Sequence, residues 1–206
     1  MTDVIAVLLA AGAGSRFAGS EHKLLATLPA ADDRPAEAVA ARAFSNLARS
    51  GIEHVVVVTG AVDVGAVLPI TDAANATVEI VHNPRWATGQ MSSVRAGISR
   101  ARDLGARRVV IGLADQPAVE PAAWNAVAGS GGAIVVATYD GRRGNPVALA
   151  AEVWSLLPEE GDEGARTLMR LHPELVVEVA CSGSPDDIDT TEDLRRWQNN
   201  SSTNSP

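Results

Sequence analysis

The stretch Val4 to Lys23, VIAVLLAAGAGSRFAGSEHK, decides the fold. It opens on an unbroken apolar run, Val4 to Leu9. A run that short, edged by glycine, suits a strand buried on both faces. Gly12 and Gly14 follow at once, then Ser15 and Arg16, with Lys23 a little further on. Glycines directly after a buried strand let backbone N–H groups approach an anion closely. Arg16 and Lys23 add positive charge at the same place. The expectation is a loop that holds the phosphates of a nucleoside triphosphate. It would be built from Leu9, Ala10, Ala11, Gly12, Ala13, Gly14, Ser15 and Arg16, with Lys23 beside it. Two other glycine loops are excluded. A Walker A loop ends in Gly-Lys-Ser/Thr, and here Gly19 is followed by Ser20 and Glu21. A dinucleotide fingerprint starting at Gly12 needs a third glycine where Phe17 stands. On its own, GAGSR suits a ligand-free strand-to-helix turn equally well.

Working outward, buried strands and amphipathic helices alternate. Helical spacing runs over Glu37 to Arg49 and ends at Gly51. His54 to Thr59 (HVVVVT) and Val78 to Val81 (VEIV) read as strands. Ser92 to Leu104 carries Val94, Ile98, Ala101 and Leu104 on one helical face. Arg107 to Leu113 and Ala133 to Thr138 are again strands, Val153 to Leu157 and Ala165 to Leu171 helices, and Leu175 to Val179 a strand. Thr190 to Trp197 is a last helix, with Thr190 or Thr191 as its cap and acids in its first turn. Such alternation implies an α/β fold with a mainly parallel central sheet covered on both faces, and ligands at the carboxyl ends of its strands. Residues 1–197 are expected to form one domain. The segment 198–206, QNNSSTNSP, has little to bury and is expected to be disordered.

Composition excludes several classes. A formal net charge of −8 without a basic stripe argues against nucleic acid. Aromatic residues make up 3% of the chain, too few for stacking platforms. Cys181 is the only cysteine, which excludes an internal disulfide framework and a cysteine-built zinc site. No stretch reaches a membrane span. The opening Met-Thr-Asp lacks a basic segment, and a cytoplasmic location is expected. His22, His54, His82 and His172 share no metal-binding spacing and read as structural or surface residues.

Several segments could carry chemistry. Asp115, in Leu113-Ala114-Asp115-Gln116-Pro117, follows a strand. It could hold Mg²⁺ at the rim of the sheet or cap the turn at Pro117. In Asp187-Ile188-Asp189, alternate residues of an extended segment share a face, so both acids can point inward. Capping of the last helix is the other reading, strongest for Glu192 and Asp193. Gly89, Ser92 and Ser93 precede a helix, where an ordinary cap or an anion site are both possible. Arg142 and Arg143 sit in an apparent glycine-bounded turn, apt for an acidic ligand or simply solvated.

The ordered set L-A-A-G-x-G-x-R-F plus Lys23, N-P-R-W-A-T-G-Q-M-S-S-V-R-A-G, A-D-Q-P, G-R-R-G-N-P, G-D-E-G-A-R and D-I-D-T-T-E-D-L resembles the MobA-like nucleotidyltransferases, from about Ala6 to Leu194. It is most similar to the molybdenum cofactor cytidylyltransferases. The resemblance implies a three-layer Rossmann-like nucleotidyltransferase fold. It also implies Mg²⁺ on Asp115 and Asp189, with Asp187 in reserve, and Gly89 and Ser93 near the nucleotide base. Arg16, Lys23 and Asp115 are the implied catalytic residues. Arg143, Gly144, Asn145, Pro146, Gly164 and Arg166 are implied to flank the acceptor pocket. Asn145 stands where the family often has His, which leaves the acceptor's identity open. Leu9-Ala10-Ala11-Gly12 is the form associated with CTP rather than GTP. The implied reaction transfers a nucleotide to the phosphate of a pterin-type acceptor, with a molybdoenzyme as a possible recipient of the product.

Overall fold

Alternate residues of the first strand feed two separate cores. The computed structural model describes residues 3–19, 21–30, 35–73 and 76–203. The central strand β1 (Val4–Ala10) is flanked in parallel by β4 (His54–Thr59) and β6 (Arg108–Leu113). Outside β4 lies β5 (Thr77–His82), also parallel. On the far side of β6 come β8 (Arg142–Ala150), antiparallel to both its neighbours, then β7 (Ile134–Tyr139) and β9 (Val176–Ala180). The seven-stranded order is β5-β4-β1-β6-β8-β7-β9. A two-stranded pair, β2 (Thr27–Leu28) and β3 (Glu37–Ala38), stands apart.

Ile5, Val7 and Leu9 face one side of the sheet. There they meet Met91, Val94 and Ile98 of α2 (Gln90–Asp103) and, further along, Leu168 and Met169 of α4 (Ala165–Leu171). Ala6, Leu8 and Ala10 face the other side. That layer holds Phe44 and Leu47 of α1 (Val39–Ala48) and Trp124 and Val127 of α3 (Pro121–Gly129). The unbroken apolar run of β1 is thus the mark of a strand covered on both faces. At about 25 cal/mol per Å² of apolar surface removed from water, these two layers supply the main drive to fold.

The chain leaves β1 toward β4 and β5, then returns on the other side of β1 as β6. The border of β1 and β6 is therefore the point where the winding reverses. A crevice opens there at the carboxyl ends of the strands.

Three local expectations change. The segment read as a glycine-bounded turn around Arg142 and Arg143 is the start of β8. The turn is Asp140-Gly141, with φ of 50° and 77°, a two-residue hairpin linking β7 to β8. Val153 to Leu157 is not an α-helix but part of a short 3₁₀ segment, Ala151–Leu156. Pro158 disfavours helical geometry at Leu157 and so cuts it off. The last helix, α5 (Thr191–Thr203), continues past Trp197, so the expected irregular tail is helical from Gln198 to Thr203. Once nucleated, a helix needs only one hydrogen bond per added residue. Residues 204–206 lie outside the described residues.

Candidate active site

The loop after β1 is closed on itself by His22. Its Nδ1 accepts the Leu24 N–H at 3.2 Å, and its Nε2 lies 3.0 Å from the Gly12 carbonyl oxygen. An N–H can only donate and a carbonyl only accept, so the proton sits on Nε2. Gly14 takes φ 62° between these anchors, a conformation that disfavours any side chain. The Phe17 N–H donates to the Gly14 carbonyl at 2.9 Å, which tightens the turn.

Lys23 leaves this loop as a buried side chain, its residue 8% exposed. Its Nζ donates to Asp115 Oδ2 at 2.5 Å and to Asp189 Oδ1 at 2.7 Å. Burial alone would lower the Lys23 pKa, but the two carboxylates outweigh it and hold the ammonium above its ordinary range. Arg16, mostly exposed, reaches the second oxygen of Asp189 at 2.9 Å. Residues 92 and 166 positions away in sequence from Lys23 thus meet on one ammonium.

Backbone bonds hold the two acids in place. The Ile188 N–H donates to the Asp115 carbonyl at 2.9 Å. Thr190 caps α5: its Oγ1 accepts the Asp193 N–H at 3.1 Å, and Asp193 Oδ2 accepts the Thr190 N–H at 2.8 Å. This reciprocal cap fixes the chain directly after Asp189 and settles the cap on Thr190. The capping role therefore belongs to Asp193. Asp115 does not cap the Pro117 turn: Oδ2 is held by Lys23, and Oδ1 is buried without a hydrogen-bond partner among the described residues.

Asp187 also reaches the crevice. Gln116, itself buried, donates from Nε2 to Asp187 Oδ1 and to the Pro185 carbonyl, each at 2.8 Å. Its Oε1 accepts from Asn145 Nδ2 at 3.1 Å. Burial, and then the charge of Asp115, hold the Asp187 carboxyl above the usual carboxylate range, against the Gln116 bond.

Two clefts share this cluster. The smaller, about 240 Å³, is lined by Leu9, Ala10, Gly12, Ala13, Gly14 and Ser15, and closes on Arg16, Lys23, Asp115 and Asp189. The larger, about 610 Å³, shares Leu9 and the same four charged residues. Its apolar floor includes Ile111, Val136, Val147 and Met169, and its polar edge Arg143, Asn145, Arg166 and Arg170. Gly144, Gly164 and Asp187 also line it. Arg143 is paired with Glu178 at 2.7 Å and Arg170 with Glu163 at 2.7 Å, so both are held in position.

Four residues named from the sequence stand back from both linings. Ala11 is buried, its carbonyl accepting the Ala61 N–H at 3.1 Å. Ser93 Oγ accepts from buried Asn83 at 3.0 Å. Gly89, just before α2, packs with the next two residues against the 161–164 segment: a Cβ at Gly89 would lie 2.7 Å from the Gly161 carbonyl oxygen, to which Met91 N–H donates at 2.9 Å. Pro146 follows Asn145 through a cis peptide bond. In the α2 segment it is Gln90 and Val94, not Gly89 and Ser93, that line the larger cleft. Gln90, Gln116, Glu163 and Arg170 escaped the sequence reading. Gln90, Gln116 and Glu163 had a signal, since each lies inside a quoted motif, and Arg170 had none.

The cluster fits a divalent cation. Among the described residues no group of three or more His, Cys, Asp and Glu is arranged around one point. Magnesium needs fewer: one or two carboxylates, with phosphate and water completing the shell. Asp115 supplies an orphaned buried oxygen and Asp189 a second carboxylate.

Known proteins resemble this chain in sequence and in fold. The model of the MobA-like NTP transferase domain matches residues 6–177. Nicotine blue oxidoreductase of Paenarthrobacter nicotinovorans is 31% identical, covering 94% of this chain and 95% of its own. Purine catabolism protein PucB of Bacillus subtilis (strain 168) is 36% identical over about half of each chain, 51% of this one and 54% of its own. The crystal structure of Rv0371c from Mycobacterium tuberculosis H37Rv superposes with a TM-score of 0.73 at 26% identity, covering 96% of this chain and 98% of that one. Its complex with manganese superposes at 0.68, with 25% identity and the same coverage. The chain, with its mostly parallel sheet and its glycine loop at the rim, belongs to the MobA-like NTP transferase family.

Proposed function

We propose that this protein transfers the nucleoside monophosphate of an NTP, CTP in preference to GTP, to the terminal phosphate of a molybdopterin-type acceptor. One observation carries the reading. The glycine-lined cleft and the larger, apolar-floored cleft meet on a single wall made of Arg16, Lys23, Asp115 and Asp189. A triphosphate in the first cleft and an acceptor phosphate in the second would meet at that wall.

The reaction is a displacement at phosphorus. An oxygen of the acceptor phosphate bonds to the α-phosphorus, the bond to the bridging oxygen breaks, and pyrophosphate leaves with the electron pair. Such chemistry asks the protein mainly for alignment and for charge placed in advance. The glycine loop, closed by His22, offers N–H groups to the phosphates. Lys23 and Arg16 carry the positive charge that stabilises the departing pyrophosphate. Asp115 and Asp189 would hold Mg²⁺, which when bound neutralises phosphate charge and aids in-line displacement. Asn145, Arg143 and Arg166 would orient the acceptor, and the apolar floor would take its ring. A molybdoenzyme would receive the product. The manganese complex of Rv0371c supports a divalent cation in this family.

The test follows pyrophosphate release with CTP and GTP, Mg²⁺ and several acceptors: molybdopterin, a sugar phosphate and a phospholactate. Release with CTP and molybdopterin alone supports the reading. Release only with another acceptor keeps the transfer and changes the substrate. A hand-over protein without catalysis would release none, and Asp115→Ala would leave its function intact.

A second reading has one observation behind it, the similarity to nicotine blue oxidoreductase along nearly the whole chain. The larger cleft would then hold a planar heterocycle undergoing reduction. It predicts consumption of a supplied reductant such as NADH with nicotine blue, and no pyrophosphate.

A further inference from the structure

We propose that Lys23 keeps the cation seat between Asp115 and Asp189 closed until a triphosphate arrives, so that divalent cation and nucleotide bind cooperatively. This rests on the reading of those two acids as cation ligands.

The Lys23 ammonium lies between the carboxylates, 2.5 Å from one and 2.7 Å from the other. Its side chain is 10% exposed, so solvent does little to loosen it. Arg16 holds the remaining oxygen of Asp189. Lys23 and Arg16 thus occupy three of the four oxygens of Asp115 and Asp189, and the Asp187 carboxyl lies near enough to raise the local negative charge. A divalent ion entering this cluster would add two charges beside the Lys23 ammonium and the Arg16 guanidinium, and to bind both oxygens of either carboxylate it would have to displace one of them. The metal alone should therefore bind weakly.

A triphosphate changes that balance. Lys23 and Arg16 line the smaller, glycine-walled cleft as well as facing the acids. The lysine stem is flexible and its head is a point charge with three donors, so it can swing from carboxylate to phosphate. Phosphate drawing Lys23 and Arg16 away would free the oxygens of Asp115 and Asp189. The phosphates would also add the negative charge that the incoming cation needs. Asp115 Oδ1, buried and without a partner among the described residues, is already available as the first contact. Coupling of this kind is reciprocal: the metal must tighten the nucleotide by the factor by which the nucleotide tightens the metal.

The consequence runs against a simple catalytic role. Removing the charge of Lys23 should improve metal binding in the absence of nucleotide. The experiment measures Mn²⁺ affinity by electron paramagnetic resonance on the purified protein, with and without α,β-methylene-CTP. The variants are Lys23→Met, Lys23→Arg and Asp115→Asn, each checked for folding by circular dichroism. Without nucleotide, Lys23→Met should bind Mn²⁺ about tenfold tighter than the unaltered protein, within the usual range for coupled sites. Lys23→Arg, which keeps the charge, should bind as weakly as the unaltered protein. The nucleotide should tighten Mn²⁺ strongly in the unaltered protein and much less in Lys23→Met.

A folded Lys23→Met that binds Mn²⁺ no tighter overturns the inference. So does an unaltered protein whose Mn²⁺ affinity ignores the nucleotide, a measurement that needs no variant to fold. In both cases the cation site itself still stands. If instead Asp115→Asn binds Mn²⁺ with nucleotide as tightly as the unaltered protein, the site is elsewhere, and the metal reading falls together with the inference.

Discussion

Replacing Gly12 by alanine separates binding from folding. A Cβ at Gly12 would meet no heavy atom within 4 Å, and Gly12 is not among the glycines with positive φ. The folded chain therefore accepts the methyl group. The unfolded chain loses backbone freedom, which favours folding by about 0.4–1 kcal/mol. For a chain of this size, 1 kcal/mol moves Tm by roughly 2–4 °C, so the variant should melt at the same temperature or slightly higher. Gly12 lines the smaller cleft, and its new methyl would stand where a phosphate approaches the backbone. Losing one hydrogen bond to a charged group costs about 1.5–3 kcal/mol, or roughly 10- to 150-fold in affinity. Gly14→Ala supplies the contrast. Its φ is +62°, and an added Cβ would lie 3.0 Å from His22 Nε2. Left-handed backbone costs a side-chain-bearing residue about 1–2 kcal/mol, so this variant should melt roughly 2–8 °C lower. Thermal melts with and without CTP and Mg²⁺, backed by calorimetric titration, read both effects. A Gly12→Ala protein that binds CTP normally, or that loses as much stability as Gly14→Ala, would refute the phosphate cradle.

Other outcomes follow from the same geometry. His22→Phe removes both hydrogen bonds that close the loop, at about 0.5–1.5 kcal/mol each. The KM for NTP should rise roughly 5- to 150-fold with a smaller change in kcat, as steady-state kinetics would read, and His22→Asn should recover part of it. Gln116→Leu strips the buried bonds to Asp187 and Asn145. Leaving those groups unpaired should cost about 1–3 kcal/mol, seen as a lower urea midpoint, together with weaker acceptor binding. Arg16→Ala frees one oxygen of Asp189. It should slow pyrophosphate release while leaving Tm nearly unchanged, because the arginine side chain is 74% exposed and such pairs add little stability.

Much of the fold was legible because buried strands announce themselves. Val4 to Leu9, HVVVVT and RRVVIGL hold little but apolar residues in their cores, which only a sheet covered on both faces explains. The antiparallel strand β8 was hidden because its first half, Arg-Arg-Gly-Asn-Pro, has the composition of a turn. What makes it a strand is the Asp140-Gly141 hairpin, whose positive φ values aim the chain back along β7. Helix α3 was missed because PAAWNAVAG has too few large apolar residues to give a period, although its leading proline is a helix-start signal. At the site, the local patterns around Asp115 and Asp189 suited a turn and a helix cap as well as a cation, and it was the family resemblance that singled them out. Their meeting on Lys23 was not legible, since no local pattern reports a contact across 92 or 166 residues. His22 read as a bystander because a lone histidine has no signature. Its role depends on the tautomer that the Leu24 N–H and the Gly12 carbonyl impose. The bond that Ser93 Oγ accepts from Asn83 was likewise hidden, since the two residues meet only once the chain turns into α2.

One product assay bears most directly on the shared wall of the two clefts. The protein is incubated with CTP labelled at the α-phosphate, Mg²⁺ and molybdopterin, and both the labelled acceptor and pyrophosphate are counted for it and for Asp115→Ala. One labelled acceptor per pyrophosphate released is expected, with a loss of at least about a thousandfold in the variant, the scale of several kcal/mol of transition-state stabilisation. Equal turnover in the variant, or no labelled product from CTP or from GTP labelled in the same way, would contradict a transfer at this wall.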